Sequence, residues 1–393
     1  MADPWLTLIG LGEDGPAGLS DASRAALAAA EQVFGAPRHL ALAGVAGTEW
    51  PVPFSTAPLL ACRGRPTVAL VSGDPFWFGA GGSLMADLAP GEWVAHPAPS
   101  VFQWVAARLG WRMEDVACRG LHAAPMATLA RDLAPGGRLI CTLRDGAAVA
   151  ELAAWLVGEG YGASLLTVCE AVGGPRERVR ALRADAEMPG DIGDLVAAAV
   201  ALDGPARAML PGRAEDAFDH DGQISKRHVR ALTVMALAPR PGAHLWDLGA
   251  GSGAISVEWC LAARGATADA VEAREDRVDT IRANAARYGV ARHMAVHHAI
   301  LAPPYPLPDR APDAVFIGGG ASAALIDEVW DVMPRGTRLV INAVTLETET
   351  LVMAQHAARG GTLTRIEIAQ TAPLGGFRGW TPARPVVQWS VAR

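Results

Sequence analysis

The chain has 393 residues, 51% of them apolar, with 34 basic and 41 acidic side chains and a net charge of −7. That length suits two domains rather than one, and the apolar share is enough for buried cores without any low-complexity stretch. The acidic balance argues against a nucleic-acid-binding protein, and an acidic ligand would have to be met by local arginine or lysine.

The opening "MADPWLTLIG" has no basic region ahead of an apolar core and no cleavage-site pattern. The most apolar stretch, "LVAAAVAL" (195–202), is far too short to span a bilayer. These features predict a soluble, cytoplasmic protein with neither membrane nor nucleic acid as partner. Cys62, Cys118, Cys141, Cys169 and Cys260 are scattered and odd in number, with no C-x-x-C. They read as small core residues and not as a disulfide framework or a zinc site.

In chain order, strands are expected at 5–12, 67–73, 138–143 and 164–171, with helical segments between them. A glycine-rich turn, "GLGEDGPAGLS" (10–20), follows the first of these strands. A second turn, Gly73-Asp74-Pro75, follows the next and leads into Phe76-Trp77-Phe78, which could border a flat substrate, although core packing is the commoner use of such residues. The run Arg176, Arg178, Arg180, Arg183, interleaved with Glu177 and Asp185, reads as a solvated helix face. The stretch 203–222 is rich in proline, glycine and charge and marks a boundary. The domains are therefore expected at 1–203 and 214–393, with a linker at 204–213. A helix then begins with Ser225 as N-cap.

The second half alternates more clearly. Strands are expected at 244–249, 268–273, 294–299, 313–319 and 338–344, with helices at 275–289 and 322–333. Buried strands alternating with helices imply a parallel sheet covered on both faces. Two further runs, 362–368 and 385–391, have only a loop between them and predict a terminal antiparallel pair, making seven strands. His297 and His298 are adjacent on a strand, point to opposite faces and make a poor pair of metal ligands.

The stretch "LWDLGAGSGA" (245–254) carries the most chemistry. Gly249, Gly251 and Gly253 sit between a strand and a helix, where backbone must approach a ligand closely. Glu272, about 20 residues on, stands where an acid takes a ribose diol. The string also satisfies a permissive dinucleotide pattern, so an NAD(P)-dependent reductase stays open on the loop alone, with Arg274 nearby. Asp247 at the strand end favours a ligand bearing an amino group and a sulfonium over a pyrophosphate. A carrier that holds its ligand without turning it over is a third possibility.

Longer strings narrow the choice. "FDHDGQISKRHVRALTVMAL" (218–237), "LWDLGAGSGAISVEW" (245–259), "DAVFIGGG" (313–320) and "INAVTLET" (341–348) resemble the C15-methylating, decarboxylating component of cobalamin biosynthesis. The seven-strand layout resembles class I S-adenosylmethionine-dependent methyltransferases. In the first half, "IGLGEDG" (9–15), "VSGDPFWFGAG" (71–81), "PAPSVFQWVAARLGW" (97–111) and "TLRDG" (142–146) resemble the tetrapyrrole methylases, in their C5-methylating precorrin branch. The first loop lacks the G-x-G-P-G-D of many relatives, and residues 97–101 read P-A-P-S-V where many have P-G-x-S-S. Both halves together resemble the precorrin-6Y C5,15-methyltransferase (decarboxylating) family.

The resemblance implies an α/β chain of two folds, an N-terminal bilobal tetrapyrrole-methylase fold and a C-terminal seven-stranded Rossmann-like fold. It implies one S-adenosylmethionine per domain, no metal, a precorrin substrate and a homo-oligomer. The substrate it implies is precorrin-6Y, with a cobalt-containing precorrin as the alternative. The implied donor contacts are Gly73, Asp74, Pro75, Ser100, Val101 and Thr142 in the first half. In the second they are Asp247, Gly249, Gly251, Gly253 and Glu272, with Gln223, Ser225 and Lys226 covering the donor. Asn342 and Glu347, at a ligand-facing strand edge, could donate or orient a proton, and Gly318–Gly320 could admit the macrocycle.

Overall fold

A computed structural model describes residues 4–207 and 210–393; Ala208 and Met209, within the expected linker 204–213, lie outside the described residues. Contacts divide the chain into two compact units. One is built from the chain up to Met126 and again from Asp132–Ala206, the other from Ala127–Arg131 and from Arg207 onward.

The first unit has two sheets and so two lobes. Strands β1 (Leu6–Leu11), β2 (Gln32–Gly35), β3 (Thr48–Glu49), β4 (Thr67–Ser72) and β5 (Trp93–His96) form a parallel sheet in the order β3-β2-β4-β1-β5. Its central strands are apolar runs covered on both faces. Leu6, Leu8, Phe34 and Ala69 pack to one side, and Ile9, Leu11, Val68 and Leu70 to the other. The second sheet, ordered β6-β7-β10-β8-β9, is mixed: β6 (Ala117–Gly120) and β7 (Arg138–Thr142) are parallel, whereas β8 (Leu165–Glu170), β9 (Arg178–Arg183) and β10 (Val196–Ala201) join antiparallel.

Two expectations for this half are corrected. Of the arginine run, Arg178, Arg180 and Arg183 lie not on a helix but on the edge strand β9, and Arg176 precedes it. Arg178 and Arg180 are two residues apart, hence on one face, and both reach Glu170 of the neighbouring strand, at 2.6 and 2.9 Å, and Asp191. Their period is two, the strand period. The aromatic run is not core either. Phe76, Trp77 and Phe78 keep 47%, 38% and 61% of their surface exposed, and Phe78 adopts a positive φ of 56° that only a constrained turn imposes on a non-glycine residue.

The second unit holds a seven-stranded sheet ordered β13-β12-β11-β14-β15-β19-β16. Strands β11 (His244–Leu248), β12 (Thr267–Glu272), β13 (Met294–His298), β14 (Ala314–Ile317) and β15 (Arg338–Ala343) are parallel, and β19 (Val386–Ala392) runs antiparallel between β15 and β16 (Thr362–Ile366). All seven expected strands are present. The helices Glu275–Arg287 and Ala323–Val332 fall where periodicity placed them. Two apolar layers cover the sheet, one around Leu245, Val257 and Ile281, the other around Leu248, Ile317 and Leu339.

The expected loop between the last two strands is instead a hairpin, β17 (Ala369–Leu374) and β18 (Phe377–Pro382), paired apart from the main sheet. Both of its faces are largely exposed, so its residues carry no alternation to read. The first helix starts later than expected. It spans Arg227–Leu237 with Lys226 at the cap and no side-chain capping bond, while the Ser225 carbonyl accepts from Arg230 Nη1 at 2.6 Å. The five cysteines are free and buried, as expected. Among the described residues no helix is long and apolar enough to cross a membrane.

Candidate functional sites

In the first unit the carboxyl ends of β1 and β4 open into a cavity of about 310 Å³. Two glycines make this close approach possible. A Cβ on Gly10 would collide with the Gly73 carbonyl, and one on Gly73 would lie 2.7 Å from Ser100 Cα. Of the expected residues, Gly73, Ser100, Val101 and Thr142 line the cavity. Asp74 and Pro75 serve the turn instead: Asp74 Oδ1 accepts from the Phe76 N–H at 2.8 Å, and the Pro75 carbonyl accepts from Gly81 at 2.9 Å. The hydroxyls of Ser100 and Thr142 are buried without a hydrogen-bond partner among the described residues. Unpaired buried hydroxyls facing a cleft are what a polar ligand would satisfy.

Sequence reasoning missed the charged wall of this cavity. Arg38 pairs with Glu13 and donates to Ser72 Oγ at 3.0 Å, and buried His39 bonds the same hydroxyl at 2.9 Å. Burial, with help from the Arg38 charge, pushes the His39 pKa down to about 4, so its ring stays neutral. Glu13 replaces the proline of the commoner loop and is the one sequence signal of this pair. Trp77 and Phe78 also line the cavity, each packed on Phe102, at ring separations of 5.9 and 5.4 Å.

In the second unit the turn after β11 leads directly into the helix Ala254–Ala262. Its three glycines have different reasons to be glycine. A Cβ at 249 would lie 2.6 Å from the Gly319 carbonyl oxygen, and one at 253 would lie 2.8 Å from Ile281 Cγ2. At 251 nothing lies within 4 Å, and the residue is held at φ +60°. Gly251 therefore faces open space, and its N–H donates to Glu272 Oε2 at 2.8 Å. The other Glu272 oxygen accepts from the N–H groups of Ala273 and Arg274, at 2.9 and 3.1 Å. Asp247 is fully buried. Oδ2 accepts from Ser256 Oγ at 2.6 Å, while Oδ1 has no partner among the described residues. Burial raises its pKa to about 6, so a cationic ligand group would find an acceptor that nothing else has claimed.

Asn284 was missed and closes the turn: buried on its helix, it donates to the carbonyls of Ser252 and Asp219, both at 2.9 Å. Gln223 accepts from Arg277 at 2.9 Å, and Arg274 pairs with Asp221 and Asp276. His297 and His298 turn to separate partners, Asp269 Oδ1 and the Ala273 carbonyl. Among the described residues no three His, Cys, Asp or Glu side chains gather to hold a metal.

A larger cavity, about 670 Å³, adjoins this turn through Gly318, where a Cβ would lie 3.0 Å from the Gly249 carbonyl oxygen. Its walls come from the chain at Ile224–Val229, the ends of β14 and β15, and the β17–β18 hairpin. Ser225, Lys226 and Asn342 line it. Asn342 is already committed, donating to Thr233 Oγ1 at 2.8 Å and accepting from Gln388 at 2.9 Å. Glu347 is not in the lining. It is exposed in the first turn of the helix Leu346–Arg359, where its own backbone N–H and then the Thr345 hydroxyl lower its pKa, an N-terminal position that favours a carboxylate.

Comparison with known proteins follows the same division. Residues 6–186 match the tetrapyrrole (corrin/porphyrin) methylases, and residues 216–393 match the precorrin methyltransferase domain. Over 402 residues the chain is 44% identical to a precorrin-6Y C(5,15)-methyltransferase [decarboxylating] of Sinorhizobium sp, covering 99% of this chain and 97% of that one. A protein of the same name from Mycobacterium tuberculosis is 38% identical, over 99% of this chain and all of its own. Among solved structures, the C-terminal domain of precorrin-6Y C5,15-methyltransferase from Rhodobacter capsulatus is 52% identical, covering 48% of this chain and 100% of that one, with a TM-score of 0.45.

Proposed function

The chain belongs to the precorrin-6Y C5,15-methyltransferase (decarboxylating) family, and on that premise we propose how its two units divide the work. It is an S-adenosylmethionine-dependent enzyme of cobalamin biosynthesis that methylates precorrin-6Y at C5 and C15 and removes the carboxyl of the C12 acetate, giving precorrin-8X. Residues 1–203 carry out the C5 methylation, and residues 214–393 carry out the C15 methylation and the decarboxylation. One S-adenosylmethionine binds per domain, and neither domain needs a metal. The same reading takes the enzyme to be a cytoplasmic homo-oligomer. The observation that carries it is the presence, in one chain of this family, of two separate cavities, each reached from a glycine turn at the carboxyl ends of parallel strands.

The residues present fit the donor in both units. In the first, Ser100 and Thr142 offer unpaired hydroxyls, and the backbone at Gly73 and Val101 shapes the cleft; Asp74 and Pro75 hold that backbone in its turn. In the second, Glu272 takes the ribose, and Asp247 Oδ1 takes the ammonium group through the turn at Gly249, Gly251 and Gly253. Gln223, Ser225 and Lys226 border the donor on the cavity side. When bound, S-adenosylmethionine supplies an electrophilic methyl group.

The chain's own task is alignment and the exclusion of water, because the enamine carbons of a reduced tetrapyrrole are already nucleophilic. Trp77 and Phe78 give the first cleft a flat apolar wall. In the second, Ile366, Ile368 and Val386 offer an apolar wall against which a carboxylate loses its hydration, the condition that favours loss of CO₂. Asn342, held by Thr233 and Gln388, can orient a ring N–H or carbonyl there. Glu347, in the first turn of its helix and outside the cavity lining, could act on the substrate only through a rearrangement.

Incubation of the whole chain with precorrin-6Y and S-adenosylmethionine without oxygen, followed by mass spectrometry, tests the reading. Two methyl groups gained and one CO₂ lost are expected. Unchanged precorrin-6Y alongside conversion of a cobalt-containing precorrin would move the substrate assignment to the latter.

A further inference from the structure

Four side chains in the lining of the larger cavity can carry charge: Glu215, Lys226, His228 and Arg384. Glu215 is turned to the backbone, accepting from the Arg227 N–H at 3.0 Å. Arg384 makes no ion pair among the described residues. It stands between β18 and β19, on the chain that returns from the hairpin to the sheet, and Lys226 and His228 stand opposite on the segment that opens the helix Arg227–Leu237. Most other arginines of this acidic chain are tied to a carboxylate, as Arg178 and Arg180 are to Glu170 and Asp191, and Arg230 is to Glu258. Two cationic side chains, Lys226 and Arg384, at one cavity of a protein of net charge −7 favour an anionic occupant, to which His228 can add a hydrogen bond.

Apolar side chains, Val229, Phe316, Ile366, Ile368 and Val386 among them, share the rest of the lining with Ser225, Asn342, Gln370, Thr371 and Thr381. The cavity thus joins an apolar region to a charged one, the pattern that suits a large ring edged with carboxylates. The two regions cannot serve the same carboxylate. A guanidinium beside the departing group would stabilise the carboxylate before reaction more than the carbanion-like state that follows, and so would slow CO₂ loss.

We infer that Arg384, Lys226 and His228 hold the peripheral carboxylates that the substrate keeps, and so turn the acetate to be lost toward the apolar wall at Ile366, Ile368 and Val386. These are positioning and specificity residues, not reacting ones. The inference rests on the assignment of this cavity to the precorrin.

The test follows CO₂ release and C5 methylation in the same full-length preparation with precorrin-6Y. Arg384→Gln is expected to raise KM for CO₂ release roughly 10-fold while kcat stays within about threefold, because a charge-assisted contact made equally before and during reaction is lost. Arg384→Lys restores most of it, and Lys226→Gln has a smaller effect of the same kind. C5 methylation stays unchanged in every variant, and S-adenosylmethionine affinity stays unchanged in the Arg384 variants. Unchanged KM in Arg384→Gln, Lys226→Gln and His228→Gln would overturn the inference, as would a loss of donor affinity in Arg384→Gln matching its rise in KM. Ile368→Lys provides an independent arm: an ammonium on the apolar wall should slow CO₂ release about 10-fold or more relative to C15 methylation, and equal slowing of both overturns the orientation argued here. If the unaltered enzyme released no CO₂ from precorrin-6Y, the functional assignment itself would be at fault.

Discussion

Single residues in this chain are set by what surrounds them. His39 shows this in a way that pH can read. It is 7% exposed, and burial and Arg38 lower its pKa from 6.5 to about 4. A histidine with a depressed folded pKa contributes its stability in full above pH 6.5, and that contribution is lost as pH falls toward 4. The loss amounts to about 2 kcal/mol by pH 5 and about 3 kcal/mol by pH 4, at 1.36 kcal/mol per pKa unit. Urea unfolding of the wild type and of His39→Gln at pH 5 and pH 8 checks it. The wild type should lose about 2 kcal/mol more than the variant between the two pH values, and parallel losses would assign the acid sensitivity elsewhere. Position 251 makes the same point for a glycine: no neighbour fills the space beside it, so its backbone angle and the open ligand side account for the residue.

Among the elements, the segment leading into the second unit depends on one buried ion pair. Arg230 and Glu258 are both fully buried and 3.0 Å apart. Glu258 also accepts from the N–H groups of Gly212 and Arg213, at 2.6 and 3.0 Å, and Arg230 reaches the carbonyls of Ser225 and Arg213. Two helices thus hold the backbone at Gly212 and Arg213. Glu258→Ala leaves a guanidinium buried and unpaired and should destabilise the protein by about 3–5 kcal/mol. Glu258→Gln, which keeps an acceptor, should cost less. Thermal melts of both variants check the order, and an Ala variant as stable as the wild type would mean that water reaches Arg230. The sequence showed this stretch only as proline, glycine and charge, because its order comes from side chains 17 to 46 positions away.

For the molecule as a whole, two donor sites are expected on one chain, and they should be separable. Titration calorimetry with S-adenosylmethionine should give two equivalents per chain. Glu272→Ala should remove the second-unit site, weakening it roughly 50-fold through loss of a charge-assisted bond to the ribose and of the Gly251 tether. C5 methylation should persist while C15 methylation and CO₂ release fall together. One equivalent in the wild type, or loss of both sites in the variant, would contradict independent sites.

The seven strands of the second unit, the apolar strands β1, β4, β7 and β8 of the first and the glycine turns were legible in the chain because each is local. A buried parallel strand is an apolar run, and a turn with positive φ selects glycine, whatever lies elsewhere. Short or polar strands were not legible, and neither was the buried, alanine-rich β10, whose run suits a helix as well as a strand. The edge strand β9 carries its period in arginines rather than in apolar residues, and the hairpin β17–β18, exposed on both faces, imprints none.

The family and its chemistry were likewise carried by contiguous strings. The division of labour within each site was not. The sequence offered Asn342 and Glu347 as equals, but Glu347 is exposed in the first turn of its helix while the sheet brings Asn342 into the cavity. Arg38, Asn284 and Arg384 had no motif to announce them. A contact between residues far apart in the chain leaves no mark on either neighbourhood, so only the packing of strands and helices could bring these side chains to their sites.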